Sequence, residues 1–164
     1  MPDMDRDQIL QLDDVALSAK CEIDFFRATG PGGQKRNKSS SAVRLKLTGT
    51  AFAVTDCTER SQHQNRANAL RKMRMLVALN CRCEVAPDPA LPSACAKKNP
   101  AYPLWCARIF DVLAAENWEL APAAAKLGWT TTALLKVLSG DPELWRNFCD
   151  IRKKNGLPAL HPAK

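Results

Sequence analysis

The sequence predicts an α+β domain followed by an all-helical module, and three observations carry that expectation. Short runs of period-two alternation lie between residues 21 and 57, a helical apolar stripe covers 61–80, and only helical patterning recurs beyond a proline cluster at 87–103. A chain of 164 residues can bury one good core, or a small core with a small helical appendage.

Residues 8–20, QILQLDDVALSAK, read as a helix, with Asp13 as an N-cap ahead of Val15 and Leu17. Three strands are expected next. Cys21 to Arg27 sets Ile23 and Phe25 against Glu22 and Asp24; Ala42 to Leu47 sets Val43, Leu45 and Leu47 against Arg44 and Lys46; Ala51 to Cys57 is the third. Thr48-Gly49-Thr50 separates the last two at hairpin length. From Ser61 to Asn80 the pattern is helical, with Ala67, Leu70, Met73 and Val77 on one face. Residues 1–84 are therefore expected to form the α+β domain.

Five of the eleven prolines fall between Pro87 and Pro103, which predicts a linker over 85–103, extended and in part polyproline-like. The module expected over 104–164 has a face marked by Trp105, Ile109, Val112 and Leu113, a short helix from Ala123 to Leu127 ending at Gly128, and a helix from Thr131 to Ser139. Asp141-Pro142 then opens a last helix that Gly156 closes. The second and third have helix-turn-helix proportions, although a plain helical packing module fits the same pattern. Its nearly balanced charge argues against a strong independent DNA binder.

Composition excludes several classes. With 46% hydrophobic and 25% charged residues the chain reads as an ordinary soluble protein. No apolar run approaches a membrane span, and the acidic start has the wrong sign for a secretory signal or a presequence, so a cytoplasmic location is expected. Seven scattered cysteines, an odd number, read as buried small hydrophobes in a reducing compartment. Cys81 and Cys83 form a lone close pair without a second pair at zinc spacing, so neither metal nor cofactor is expected.

Charge is unevenly spread. Residues 1–26 hold seven acids and two bases, 27–82 twelve bases and two acids, and 83–164 ten bases and eight acids, within a net +7. The excess lies in the middle segment, where it would attract phosphates and make binding salt-dependent. That segment contains Gly30-Pro31-Gly32-Gly33-Gln34, which has neither the spacing of a phosphate-binding P-loop nor the helix and ribose-binding acid of a dinucleotide fingerprint. Adjacent glycines let a main chain approach a ligand closely. Gln34 cannot act as a general base, but its amide can orient a water or donate to an oxyanion, so the rest of the chemistry must come from a partner.

The run FRATGPGGQKRNKSSSAVRL, followed two strands later by ERSQ-x-x-NR at Glu59 to Arg66, resembles the catalytic domain of class I peptide-chain release factors and the short ribosome-rescue hydrolases built on it. The resemblance covers about residues 8–82, and the motif order is highly specific. It implies a short mixed or antiparallel sheet with flanking helices. It also implies ribosome-dependent hydrolysis of the ester between peptide and tRNA, with the ribosome's large-subunit RNA and peptidyl-tRNA as partners. Gly32, Gly33 and Gln34 would be the catalytic tip, and Gln34 a methylation site. Arg27, Lys35, Arg36, Asn37, Lys38, Arg44, Arg60, Arg66, Arg71, Lys72 and Arg74 would meet RNA.

The chain departs from the family at Arg36, where members commonly have an apolar residue before the Asn-Lys pair. The 20 residues before the first strand are too few for a stop-codon reading domain, so codon-independent action by a monomer is expected. A lysine- and arginine-rich tail typical of short rescue hydrolases is lacking. Arg152-Lys153-Lys154 is a poor substitute, which leaves the helical module to bind ribosomal RNA, a tRNA or a protein. The competing expectation is a non-catalytic RNA- or ribosome-binding factor that keeps the fold; a helix-turn-helix transcription factor would leave the glycine loop unexplained.

Overall fold

A computed structural model describes residues 5–27, 41–85 and 89–163. The chain forms two compact units, Met1–Val77 and Ala78–Lys164, whose boundary falls inside a long helix.

The first unit opens with two short helices, α1 (Arg6–Gln11) and α2 (Asp14–Ala19), where one helix over 8–20 was expected. Leu12 and Asp13 take extended angles, and the Asp13 carboxylate accepts the Ala16 N–H at 2.7 Å. Asp13 therefore starts a new helix and ends the possibility of a continuous one. Of the two apolar residues that follow, Leu17 is fully buried but Val15 is 79% exposed.

The sheet consists of β1 (Cys21–Phe26), β2 (Ala42–Leu47) and β3 (Ala53–Asp56), antiparallel in that order. Cys21 pairs with Leu47 and Phe26 with Ala42; Val43 pairs with Asp56 and Lys46 with Ala53. Alternation in central β2 is as expected: Val43, Leu45 and Leu47 are buried while Arg44 and Lys46 are exposed. The third strand is shorter than 51–57 because the turn reaches further. Gly49 adopts φ 74°, and the Thr50 hydroxyl donates to Leu47 O at 2.8 Å and accepts the Phe52 N–H at 3.1 Å. Phe25, expected inward, is 47% exposed, because it lies near the end of an edge strand whose partner β2 flanks it on one side.

Helix α3 (Gln62–Asn80) begins after Ser61, whose hydroxyl accepts the Gln64 N–H at 3.4 Å. Asn65, Ala69, Met73 and Val77 recur every four residues and are all fully buried, so one row of the helix faces the core. Arg74 ties α3 to the first helices, donating to Leu12 O at 2.9 Å and pairing with Asp14 at 2.8 Å.

The second unit is helical: α4 (Tyr102–Ala115), α5 (Leu120–Leu127), α6 (Thr131–Ser139) and α7 (Pro142–Lys154). Helix α4 is buried on most sides, as a central helix must be. Gly128 at φ 70° ends α5, Thr130 caps α6 and Asp141 caps α7. The Asp141 carboxylate also accepts the Tyr102 hydroxyl at 2.8 Å and pairs with Lys97 at 3.1 Å.

The proline-rich stretch is held to these helices. Trp105 Nε1 donates to Pro92 O at 2.9 Å and Trp129 Nε1 to Leu91 O at 2.7 Å, with the two rings 6.0 Å apart. Arg152, read from sequence as part of a surface patch, is 8% exposed: it donates to Trp118 O at 2.5 Å and Pro158 O at 3.0 Å. Its guanidinium also stacks 5.5 Å from the Phe148 ring. The Trp118 carbonyl it holds belongs to a residue at φ 63°, a costly angle for an aromatic side chain. The cysteines are less buried than expected: Cys106 is buried, Cys83 exposed and the other five half-buried. Burial pushes the Cys106 thiol up to about 12, so it stays protonated. Among the described residues no helix is long and apolar enough to cross a membrane.

Candidate functional site

The glycine-rich stretch joins β1 to β2. The chain leaves the sheet after Phe26 and re-enters it at Ala42, and the register pairs these two residues, so both stems start from neighbouring points at one end of the sheet. Gly32, Gly33, Gln34, Lys35, Arg36, Asn37 and Lys38 lie outside the described residues.

Around these stems the remaining candidates divide by what their charges already do. Arg27 and Arg60 are exposed. Arg44 is also exposed and lies over the Phe26 ring, 5.2 Å from its centroid, which holds one cation beside the outgoing stem. Arg66 is exposed as a residue, but its guanidinium donates to the buried Ser18 hydroxyl at 2.5 Å. Arg71 is exposed and reaches Asn68 on its own helix at 3.4 Å, a weak contact. Lys72 and Arg74 are committed internally. Lys72 pairs with Asp56 at 2.6 Å, and Arg74 holds Leu12 and Asp14.

Asp56 is 2% exposed and sits at the end of β3. Burial alone would raise its pKa, but donation from Lys72 and from the Thr58 N–H and hydroxyl outweighs it, so the carboxyl titrates below its ordinary value. It joins β3 to α3 and thereby sets the helix against the sheet that carries both stems.

Asn65 supplies the second tie and was missed as a site residue in the sequence. Its Nδ2 donates to Ser41 O at 2.7 Å and Glu59 O at 2.9 Å, and its Oδ1 accepts the Glu59 N–H at 2.8 Å. Two carbonyls and one N–H around a single amide fix which end is nitrogen. The signal was present in the sequence: Asn65 is the polar member of the four-residue row that continues through Ala69, Met73 and Val77. A polar residue at a core position needs full hydrogen bonding, and here it finds it in backbone.

Among the described residues there is no group of three or more His, Cys, Asp or Glu side chains able to hold a metal ion. The described residues around the glycine-rich stretch offer fixed stems and surface cations.

The family model described as RF-1 domain matches residues 13–89. Among curated relatives, peptide chain release factor 2 of Paramagnetospirillum magneticum is 52% identical over 56 residues, 34% of this chain and 15% of the relative. Peptide chain release factor 1 of Acidiphilium cryptum is 50% identical over 56 residues, 34% of this chain and 16% of the relative. Peptide chain release factor 1 of Brachyspira hyodysenteriae is 39% identical over 75 residues, 45% of this chain and 19% of the relative. The matched segment thus spans less than a fifth of the length of these relatives.

Proposed function

We propose that the chain, whose residues 13–89 match the RF-1 domain model, is a release-factor-like peptidyl-tRNA hydrolase that acts on the ribosome without reading a codon. The observation that carries this reading is the intact Gly32-Gly33-Gln34 within the matched segment, in order with Asn37-Lys38, Ser41 to Leu45 and Arg60-Ser61-Gln62. The location follows from the substrate: a cytoplasmic ribosome that retains peptidyl-tRNA.

The reaction is hydrolysis of an ester. A water oxygen bonds to the peptide carbonyl carbon, the bond to the tRNA ribose oxygen breaks, and that oxygen leaves with a proton. The transition state carries negative charge on the carbonyl oxygen, so a fixed N–H donor there contributes about 3 kcal/mol. Gln34 has a backbone N–H and a side-chain amide for this work, one for the oxyanion and one to orient the water. Gly32 and Gly33 keep the approaching chain thin. Ribosomal RNA supplies the remaining polar groups, and Arg27, Lys35, Arg36, Lys38, Arg44, Arg60 and Arg71 neutralise its phosphates. No cofactor enters this scheme.

Codon-independent action is part of the same proposal. The similarity carries over an RF-1 domain alone, and the helical residues 102–154 lie outside the match. This helical module is the part we assign to contacts with ribosomal RNA, a tRNA or a protein.

The test is peptide release from peptidyl-tRNA on purified ribosomes, with the mRNA channel empty, filled with a sense codon, or filled with a stop codon. Release in all three that is lost on changing the tip supports the proposal. Release confined to the stop codon overturns codon independence, and tight binding with no release leaves a non-catalytic ribosome-binding factor.

A further inference from the structure

Ser41 lies one residue outside the last cross-strand pair, Phe26 with Ala42. Sheet pairing therefore does not reach the carbonyl through which the chain enters β2 from the glycine-rich stretch. That carbonyl instead accepts from Asn65 Nδ2 at 2.7 Å, from a side chain with no solvent exposure. The other two bonds of the same amide close on the Glu59 backbone, at 2.8 and 2.9 Å, and so gather the returning stem, the segment after β3 and the first turn of α3 onto one group. The helix end itself is anchored there by the Asn65 N–H on Ser61 O at 3.0 Å.

We infer that Asn65 is a positioning residue for the hydrolytic tip, an inference that rests on the hydrolase reading above. It acts by fixing where and in what direction the chain enters β2. Both amide hydrogens and one carbonyl lone pair are in use, so the chemistry singles out asparagine. Aspartate keeps the acceptor for Glu59 N–H but turns a carboxylate toward two carbonyl oxygens; glutamine carries the same amide one methylene too far for a fully buried position.

Such a residue controls rate rather than affinity. Ribosome binding draws on many surface cations, whereas the chemical step depends on the tip being placed to within about 1 Å, a displacement that can cost about a hundredfold in rate. A residue that only stabilises the fold would lower neither quantity as long as the protein stays folded.

The experiment compares full-length Asn65→Asp and Asn65→Ser with Leu47→Ala. Leu47 is fully buried at the opposite end of β2, so its truncation destabilises the same strand without touching Ser41. Two quantities are read below the melting temperature of every variant: single-turnover peptide release at increasing protein concentration, and amide hydrogen exchange at Ala42 and Glu59 relative to Leu45. The expected result for both Asn65 variants is a maximal rate lowered about ten- to a hundredfold, half-saturation unchanged, and faster relative exchange at Ala42, joined by faster exchange at Glu59 in Asn65→Ser, which loses the acceptor that Asn65→Asp keeps. Leu47→Ala keeps the wild-type maximal rate and the wild-type exchange ratio. The inference is overturned if the Asn65 variants release peptide at the wild-type rate, or if Leu47→Ala slows release equally. Absence of release by the wild-type protein would remove the hydrolase reading, and with it the role of Asn65 in rate; the exchange ratio would still decide whether Asn65 pins the stem.

Discussion

Lys72 Nζ lies 2.6 Å from the carboxylate of Asp56, and the two side chains differ sharply in exposure, 49% for the lysine and 1% for the aspartate. The acid is the buried member and the base approaches it from the surface. Thr58 completes the arrangement with two donors to Asp56 Oδ1, at 3.1 and 2.8 Å.

Removal of the lysine leaves the carboxylate buried with only the Thr58 donors, and Lys72→Met is expected to cost about 1–3 kcal/mol. The pH dependence follows from the lowered pKa of Asp56. A depressed folded-state value stabilises the protein above the unfolded value and loses that contribution as pH falls through the folded one. Melting temperature should therefore hold down to about pH 4 and fall below it. Asp56→Asn should lower the melting temperature at neutral pH and flatten the acid limb. An unchanged acid limb in Asp56→Asn would mean that other carboxylates set it.

Arg71, Lys72 and Arg74 lie on one helix within four residues, yet they should respond differently to charge reversal. Arg71→Glu leaves the fold within about 0.5 kcal/mol, as an exposed substitution does, and reduces the slope of ribosome affinity against salt by about one contact. Arg74→Glu breaks the hydrogen bond to Leu12 O and places an acid beside Asp14, so its first effect is on stability. Thermal melts alongside filter binding at several salt concentrations separate the two. Equal loss of binding without loss of stability in both variants would show that Arg74 faces RNA.

The sequence disclosed those elements whose residues see two different sides. Strand β2 was legible to the residue because Val43, Leu45 and Leu47 meet a core while Arg44 and Lys46 meet water. The cap at Asp13 was legible and is formed, but the break it makes between α1 and α2 was not, because the apolar spacing of Ile9, Leu10 and Leu17 runs on across it. The proposed tip, which lies outside the described residues, rests on motif order, since nothing in hydrophobic period distinguishes a catalytic glycine pair from a turn. The tasks of Lys72 and Arg74 were hidden for a different reason. A base on a helix looks the same in sequence whether it is solvated or bridges to Asp56 or Leu12, 16 and 62 positions away.

In the helical unit the two indole donors predict a local effect. Trp105→Phe and Trp129→Phe preserve the aromatic contact between the rings but orphan Pro92 O and Leu91 O, respectively. Each should cost about 1 kcal/mol and the pair no more than the sum of the two within about 0.5 kcal/mol unless the strap is released as a whole. Limited proteolysis within residues 89–97 measures that release. Cleavage as slow in the double variant as in the wild type would show that the prolines, rather than the indoles, hold the segment.

The tip itself yields the sharpest comparison. If the main chain makes the larger contribution to the transition state, Gly33→Ala should slow release more than Gln34→Ala. The added methyl restricts positive φ and thickens the chain where it must enter a packed RNA site. Gln34→Ala keeps the backbone N–H that the proposal assigns to the oxyanion and loses only the side-chain amide. A lost oxyanion donor is worth about 3 kcal/mol, so Gly33→Ala should lower the single-turnover rate about a hundredfold or more, and Gln34→Ala by less. Both substitutions lie between the stems rather than in β1 or β2, so melting temperature and ribosome affinity should remain those of the wild type. The decisive reading is the release rate at saturating protein. If Gln34→Ala is the slower of the two, the side chain rather than the main chain places the attacking water; if both release at the full rate, the hydrolase proposal fails and ribosome binding without catalysis remains.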